Sequence, residues 1–365
     1  MYGPPGSGKT AAGRALGASL KIPFKDLDTQ IVEKAGQSIA GIFSAEGEAG
    51  FRKREKDALR KALQGYSGVL ALGGGALLDE ENIKLAAETG ELICLHAAAG
   101  VLQERLKSSR AVRPLLENGE EGALERLLER RAAHYRSFEK RIATDALTPE
   151  EVAWEIQLLL GRYRVPGMGG GYSIFVDEGL LQQVGSFVQT EALSGPVCVV
   201  GDDQVLDRFG GEVVAAIADA GYDAAAAGFP AGEQSKSIAT IEALWEQFLE
   251  QKLERGSTIV SLGGGVVSDI AGFAAATYMR GVSWVVVPTS LLAMVDAGIG
   301  GKTGVDLPQG KNLVGAFHPP RIVLADPDAL RYLPETEIKS GLAEVVKHGV
   351  IGDPLLFAQC ESGYQ

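Results

Sequence analysis

The sequence predicts an α/β protein of two domains, each built around a mainly parallel sheet, and three observations carry that expectation. A chain of 365 residues exceeds one typical domain of about 100 to 200 residues. Short β-rich runs alternate with helix-compatible sequence from one end to the other, the pattern that winds strands into parallel sheets. Glycine, at 48 residues, is well above ordinary usage and gathers where those runs end, which hints at backbone drawn up to ligands.

Hydrophobic residues make up 45% of the chain and charged residues 22%, enough apolar side chain for two buried cores and against a disordered or fibrous class. A net charge of -12 repels nucleic-acid backbone and anionic lipid alike, so neither is expected as a main partner. Small anions at local arginine clusters stay open. No window reaches 18 uninterrupted apolar residues, and the best, 282–301, is broken by Pro288 and Asp296, so no membrane span is expected. A secretory signal is not expected either, because Lys9 and Thr10 sit in a glycine-rich loop with no apolar run behind it. Cys94, Cys198 and Cys360 are far apart and form no C-x-x-C, the pattern of free thiols in a reducing cytoplasm.

The elements follow in order. Gly3-Pro4-Pro5-Gly6-Ser7-Gly8-Lys9-Thr10 satisfies G-x-x-x-x-G-K-[ST], and 11–20 then reads as a helix. Consecutive amides and the helix N-terminus can surround a polyphosphate, Lys9 can reach its β/γ oxygens, and the Thr10 hydroxyl can ligate Mg²⁺. Only Met1 and Tyr2 precede this loop, where a strand of about five residues belongs, so the sequence is expected to be a fragment lacking that strand. Asp26-Leu27-Asp28 follows a short strand and sets two carboxylates near the loop, for Mg²⁺ waters or a substrate hydroxyl. By itself that pair reads equally as a solvated loop or a helix cap. Strands are expected at 68–72 and 91–95. Thr148-Pro149-Glu150-Glu151 reads as a capping box that opens a helix to about residue 160.

Val165-Pro166-Gly167-Met168-Gly169-Gly170-Gly171 then reads as a linker. The expected division is a first domain at 1–162, a linker at 163–171, a second domain at 172–334, and the start of a helical domain at 335–365. Further strands are expected at 197–200, 258–262 and 284–287. Leu-Gly-Gly-Gly occurs at 72–75 and at 262–265, with Asp79 and Asp269 seven residues after each leucine. The flanks do not correspond, so these read as two independent strand-to-helix turns. The second half has no G-x-G-x-x-G. In its place, 261–269 ends a β-rich run and begins a helix, which suits a pyrophosphate with Asp269 free for a ribose hydroxyl.

Over residues 3 to about 162 the ordered motifs resemble the shikimate kinase family. After the phosphate loop and Asp26-Leu27-Asp28 come Gly47-Glu48-Ala49-Gly50-Phe51-Arg52 with Glu55, then Leu72-Gly73-Gly74-Gly75-Ala76, Arg113-Pro114-Leu115-Leu116, and Arg130-Arg131-Ala132-Ala133-His134-Tyr135-Arg136. The resemblance implies a P-loop kinase sheet with ATP and Mg²⁺ held by Gly6, Ser7, Gly8, Lys9 and Thr10, and with Asp26 supporting the metal through water. Asp28 would hold the shikimate hydroxyls, while Arg52, Arg131 and the Gly74-Gly75 backbone would fix its carboxylate, a planar group that a guanidinium matches in bidentate fashion. Arg113, in the segment resembling a mobile lid, would stabilise the transferring phosphoryl group, with Arg105 and Arg110 as candidate helpers. Arg126, Arg130 and Arg136 share a helix with Leu124, Leu127 and Leu128 at core spacing and read as a solvated face.

From Tyr172 to the last residue the series resembles the 3-dehydroquinate synthase family. Its motifs are Pro230-Ala231-Gly232-Glu233-Gln234-Ser235-Lys236, the glycine turn at 262–265, residues 274–281, Val287-Pro288-Thr289-Ser290, Gly300-Gly301-Lys302-Thr303-Gly304, Gly310-Lys311-Asn312 and Gly341-Leu342-Ala343-Glu344-Val345-Val346-Lys347. The resemblance implies a Rossmann-like domain in which tightly held NAD⁺ transiently oxidises a substrate hydroxyl, permits phosphate elimination and takes the hydride back. Asp202, Glu233 and Lys236 would lie on the adenosine side, Gly264, Gly265 and Asp269 at the pyrophosphate and ribose, and Thr289, Ser290, Lys302 and Lys311 nearby. Arg280, Asp296, Lys302, Lys311, Asn312 and Lys347 would face 3-deoxy-D-arabino-heptulosonate 7-phosphate, with Lys302 and Lys347 in catalytic roles. Glu344 would ligate Zn²⁺ or Co²⁺, its remaining ligands falling beyond residue 365. His348 then reads as a polar neighbour, and His96, His134 and His318 as structural. Ala297 and Tyr332 depart from the family's usual Ser and Thr and put only local NAD contacts in doubt.

The expectation is therefore a fused enzyme that phosphorylates shikimate to shikimate 3-phosphate and converts the heptulosonate phosphate to 3-dehydroquinate and phosphate. The second activity is expected to be absent from a chain ending at residue 365. A homodimer through the second half is compatible with this. Two other readings remain: a nucleotide-responsive binding protein without turnover, and a second half of the iron-dependent alcohol dehydrogenase type.

Overall fold

The computed structural model describes residues 1–108 and 122–363. The chain divides into two compact units, Met1–Leu160 and Gly161–Gln365. In the first, four short strands, β1 (Phe24–Asp26), β2 (Val69–Ala71), β3 (Cys94–His96) and β4 (Arg141–Ala143), form the parallel pairs β1–β2 and β3–β4. Met1 and Tyr2 join the pairs. The Leu72 N–H donates to the Met1 carbonyl at 2.9 Å, the Tyr2 N–H to Ile93 at 2.8 Å and the Leu95 N–H to Tyr2 at 2.8 Å. The order across this sheet is thus β1, β2, residues 1–2, β3, β4, so the residues that feed the glycine-rich loop sit at its centre.

Local signals hold closely in this unit. Helix Lys9–Leu20 starts at Gly8, whose φ of 88° only glycine adopts readily. Helix Pro149–Leu160 is capped reciprocally: the Thr148 N–H donates to Glu151 at 2.7 Å and the Glu151 N–H to Thr148 Oγ1 at 3.2 Å, worth about 1 kcal/mol. Tyr2, Leu27, Leu59 and Leu77 pack in one apolar cluster, and Ala12, Leu16, Leu95 and Ile156 in another.

The second unit contains β5 (Arg162–Val165), β6 (Tyr172–Val176), β7 (Val197–Asp202), β8 (Ala224–Phe229), β9 (Thr258–Gly263), β10 (Ser283–Pro288), β11 (Lys302–Leu307), β12 (Gly310–Phe317) and β13 (Ile322–Ala325). Seven of them make one sheet in the order β5-β6-β13-β10-β9-β7-β8, parallel throughout except for β5. All six residues of β9 are buried, as a strand covered on both faces must be, and its apolar run shows it. The hairpin β11–β12 stands apart from that sheet.

The expected linker is corrected here. Residues 163–165 belong to strand β5, which pairs antiparallel with β6 from Arg162↔Phe175 to Val165↔Tyr172, so the division falls after Leu160. Three successive glycines with φ of 68°, 91° and 79°, Gly169 to Gly171, turn the chain back on itself. Arg164 locks the turn by donating to the Gly170 carbonyl at 2.9 Å. A Pro/Gly-rich run marks a reversal as readily as a tether. Helices Glu335–Gly352 and Pro354–Gly363 fall in the same compact unit as the sheet. Gly341 makes that approach possible, since a Cβ there would come within 2.6 Å of Leu291 Cβ. Among the described residues no helix is long and apolar enough to cross a membrane.

Candidate functional site

In the first unit the loop and the start of helix Lys9–Leu20 form the cradle the motif predicts. Gly6 and Gly8 have φ of 81° and 88°. Lys9 Nζ donates to the Gly3 and Pro4 carbonyls at 2.9 Å each, holding the ammonium over its own loop. Ser7 is buried, and its Oγ has no hydrogen-bond partner among the described residues. A buried hydroxyl without a partner costs stability unless a ligand completes it, and a phosphate oxygen would do so. Beside the cradle, Thr10 Oγ1 donates to Asp26 Oδ2 at 2.7 Å, and Asp26 Oδ1 caps helix Leu27–Ala35 through the Thr29 N–H at 3.2 Å. Asp26 therefore caps this helix with one oxygen while the other is held by Thr10. A hydroxyl and a carboxylate already in register suit a hydrated Mg²⁺.

Gly73, Gly74 and Gly75 lie against the loop and its neighbours, and a Cβ on Gly74 would come within 3.2 Å of the Gly3 carbonyl. A Cβ on Gly73 would lie 2.7 Å from Glu55 Oε1 and 2.9 Å from Asp28 Oδ1, and one on Gly75 would run into the Arg52 guanidinium. Arg131 Nη1 donates to the Gly74 carbonyl at 2.9 Å. Asp28, Arg52 and Arg131 thus meet at three glycines. Two motif residues to which the sequence reading gave no role support them. Glu55, almost fully buried, accepts from Arg52 Nη1 at 2.5 Å, and its carboxyl is held above the usual range because burial outweighs the arginine's pull. Tyr135 Oη donates to the Gly74 carbonyl at 2.9 Å. Glu55 and Tyr135 were visible only as letters inside motifs, since their partners lie far away in sequence or across a helical turn.

Arg105 donates to Thr144 Oγ1 at 3.0 Å, and Thr144 donates to the Ser7 carbonyl at 3.3 Å, so this arginine is tied to the cradle. Arg110 and Arg113 lie outside the described residues.

In the second unit β9 ends at Gly263 and helix Gly265–Thr277 begins at Gly264, which offers no side-chain cap to the first-turn amides. Those amides are the donors a pyrophosphate would use. Thr289 N–H donates to the Gly263 carbonyl at 3.0 Å, and Ser290 Oγ would stand 3.4 Å from a Cβ on Gly264, so both flank the turn. Asp269 is in this helix, whereas Asp79 caps helix Glu80–Thr89 through the Glu81 N–H at 2.9 Å; the two repeated tetrapeptides are independent turns.

Asp269 pairs directly with Lys236, whose Nζ also donates to Asn312 Oδ1 at 2.6 Å. Burial raises the Asp269 carboxyl, and the Lys236 ammonium opposes that shift. A residue carried over to the adenosine, one to the ribose and one to the phosphorylated substrate therefore form a single polar knot. Asp269, Asp296, Lys302 and Asn312 line a cleft of about 610 Å³. Glu233 and Lys311 pair with each other at 2.7 Å on the exposed side, and Asp202 Oδ1 accepts from the Val205 N–H at 2.9 Å as a helix cap.

Arg280 does not join this group. It lines a different cleft, with Arg164, Trp284, His318 and Arg321.

Glu344 is engaged by Lys347 and lies 3.7 Å from His348 Nε2. The structure adds Asp296: one donor atom each from Asp296, Glu344 and His348 lie within 4.8 Å of one another. Two carboxylates and an imidazole are ligands that suit a borderline divalent ion such as Zn²⁺ or Co²⁺.

These features define a two-unit nucleotide-binding α/β protein, with a phosphate cradle on one sheet and a glycine turn at the strand ends of the other. Residues 5–160 match the family model for shikimate kinase, and residues 226–340 match that for the 3-dehydroquinate synthase N-terminal region. The chain is a fusion of a shikimate kinase family domain with a 3-dehydroquinate synthase family region. The 3-dehydroquinate synthase of Cyanothece sp. is 49% identical over 194 residues, 52% of this chain and 53% of that protein. The chain spans about half the length of the curated relatives it matches. Among solved structures, shikimate kinase from Acinetobacter baumannii in complex with shikimate is 35% identical, over 44% of this chain and 90% of that one, with a TM-score of 0.41. A 2-deoxy-scyllo-inosose synthase complexed with carbaglucose-6-phosphate, NAD⁺ and Co²⁺ is 29% identical, over 51% of this chain and 50% of that one, with a TM-score of 0.48.

Proposed function

We propose that the first unit transfers the γ-phosphoryl group of ATP to shikimate, and that the second unit carries the NAD⁺ site and metal-side residues of a 3-dehydroquinate synthase. The observation that carries the first assignment is the meeting of Asp28, Arg52 and Arg131 at Gly73–Gly75 beside a phosphate cradle. A nucleotide switch has no use for two guanidinium groups and a carboxylate gathered at these glycines, so turnover is favoured over sensing.

In this reading Asp28 accepts a hydrogen bond from the attacking hydroxyl, and Arg52 and Arg131 grip the carboxylate. Lys9 leaves its own loop carbonyls for the phosphate oxygens, and Thr10 with Asp26 positions Mg²⁺. Arg113 would stabilise the charge on the transferring group. The test is shikimate-dependent ADP release, with Asp28→Asn as control. Binding of both ligands without ADP would favour the sensor, and loss of shikimate dependence would remove the assignment.

For the second unit, NAD⁺ when bound supplies reversible hydride acceptance, and a divalent ion supplies charge at the substrate's oxygens. The amides at Gly264 and Gly265 would take the pyrophosphate, and Asp269 would exchange Lys236 for a ribose hydroxyl. Lys302 and Asn312 face the same cleft, where a phosphorylated sugar acid needs cations and donors. Lys347 and Glu344 stand on the metal side with Asp296 and His348. Net conversion of the heptulosonate phosphate to 3-dehydroquinate leaves the cofactor unchanged, so NADH accumulation would instead favour the alcohol dehydrogenase reading. The free thiols fit a cytoplasmic setting and the acidic chain fits small-molecule substrates, with a homodimer through the second unit as the assembly to test.

A further inference from the structure

The carbonyl of Gly74 is crowded. It accepts from Arg131 Nη1 and from Tyr135 Oη at 2.9 Å each, and Tyr2 Oη lies 3.2 Å away. Tyr2 is fully buried, and its oxygen is also 3.0 Å from His134 Nε2. The two rings meet edge to face, 5.5 Å between centroids at 83°, and Phe138 packs across both, 5.2 Å from each. A phenol has one proton, so Tyr2 and His134 share a short chain: when His134 Nε2 donates to Tyr2, the phenol proton turns to Gly74.

The peptide that joins Gly74 to Gly75 is planar, so anchoring its carbonyl aims the Gly75 N–H the opposite way. The Arg52 guanidinium lies beside the same residue, in the space a Gly75 side chain would need. Arg131 is the other group bound to the same carbonyl. The chain His134–Tyr2–Gly74 therefore sets the orientation of one amide and one guanidinium, both of which the proposed shikimate site assigns to the substrate carboxylate.

We infer that Tyr2 and His134 are positioning residues for carboxylate recognition, acting through the Gly74 carbonyl. This rests on the shikimate reading of the first unit. It concerns affinity for the carboxylated substrate and leaves ATP and the transfer step alone.

The test is steady-state kinetics and calorimetric shikimate binding for Tyr2→Phe, His134→Leu, the double variant and His134→Gln. Loss of one neutral hydrogen bond changes binding about two- to tenfold. The expected result is a KM for shikimate and a Kd raised by that factor in either single variant, with kcat and the KM for ATP within twofold of wild type. The double variant should be no worse than the weaker single one, because the residues act in one chain. His134→Gln, which keeps a polar group near the imidazole nitrogen, should recover most of the affinity. A fall in melting temperature with KM for shikimate unchanged would overturn the inference, as would equal rises in both KM values. Wild-type protein that binds no shikimate would overturn the underlying reading as well, whereas tight wild-type binding with unaffected variants removes this inference alone.

Discussion

The hydroxyl of Thr10 donates to the carboxylate of Asp26 at 2.7 Å, joining the first turn of the cradle helix to the end of β1. Replacing Asp26 by Asn keeps the cap but removes the charge that orders a hydrated cation. The apparent Mg²⁺ requirement for ADP release should rise about tenfold, equivalent to roughly 1.4 kcal/mol, with saturating rates nearly restored at high Mg²⁺. A Mg²⁺ titration of the variant checks this, and an unchanged midpoint would count against Asp26 as a metal support.

Arg52 and Arg131 should not tolerate lysine. An ammonium offers no planar fork, so Arg131→Lys would lose paired contact with a carboxylate and its tie to Gly74. The expected change is a tenfold to hundredfold higher KM for shikimate, about 1.5–3 kcal/mol, with the KM for ATP near wild type. Equal loss for both substrates would place Arg131 elsewhere in the reaction.

Glu55 gives a pH signature. Burial holds its carboxyl above the ordinary 4.5 despite Arg52, so the folded chain keeps this proton where the unfolded chain has lost it. Folding is then penalised as pH rises from 4.5 through the raised folded value, and the penalty is absent below 4.5. Comparing urea midpoints across that range, wild type should lose more stability with rising pH than Glu55→Gln. Parallel profiles would show that Glu55 ionises freely.

Lys236 is only 7% exposed and is held by Asp269 and Asn312. Asp269→Ala would leave a buried ammonium with a neutral partner alone, at a cost of about 3 kcal/mol to the second unit. NAD⁺ affinity should fall in the same variant, whereas Lys236→Met with Asp269→Ala should regain stability without regaining NAD⁺. Denaturant unfolding and NAD⁺ titration followed by tryptophan fluorescence separate the two effects.

Burial pushes the Cys94 thiol up to about 11 and that of Cys198 up to about 12. Cys360 is partly exposed. Native protein at mild alkaline pH should therefore label with iodoacetamide at one thiol quickly and at the other two only on unfolding, as mass spectrometry would report. Rapid labelling of Cys198 would mean that its sheet opens readily.

Features written in consecutive residues were legible before any coordinates: the cradle at 3–10, the reciprocal cap of Thr148 and Glu151, and the glycine turn after β9. Their geometry depends on neighbours along the chain, so residue type and spacing suffice. Strand limits were less sharp, as with 91–95 against Cys94–His96, because the ladder stops where its partner strand does. What escaped was set by residues remote in sequence. Nothing near Lys236 announces that it meets both Asp269 and Asn312, and nothing near Arg280 announces that it lines a different cleft from Lys302. Tyr2 and His134 lie 132 positions apart and acquire meaning only when the first sheet brings them together.

The antiparallel seam between β5 and β6 has a practical consequence for anyone separating the two units. Scissors placed in the Gly169–Gly171 bend would strip the second sheet of its outermost strand and bare the backbone of Tyr172–Val176, a raw edge inviting aggregation. Severing after Leu160 instead leaves that hem sewn on, and each product should emerge as a clean, dispersible piece.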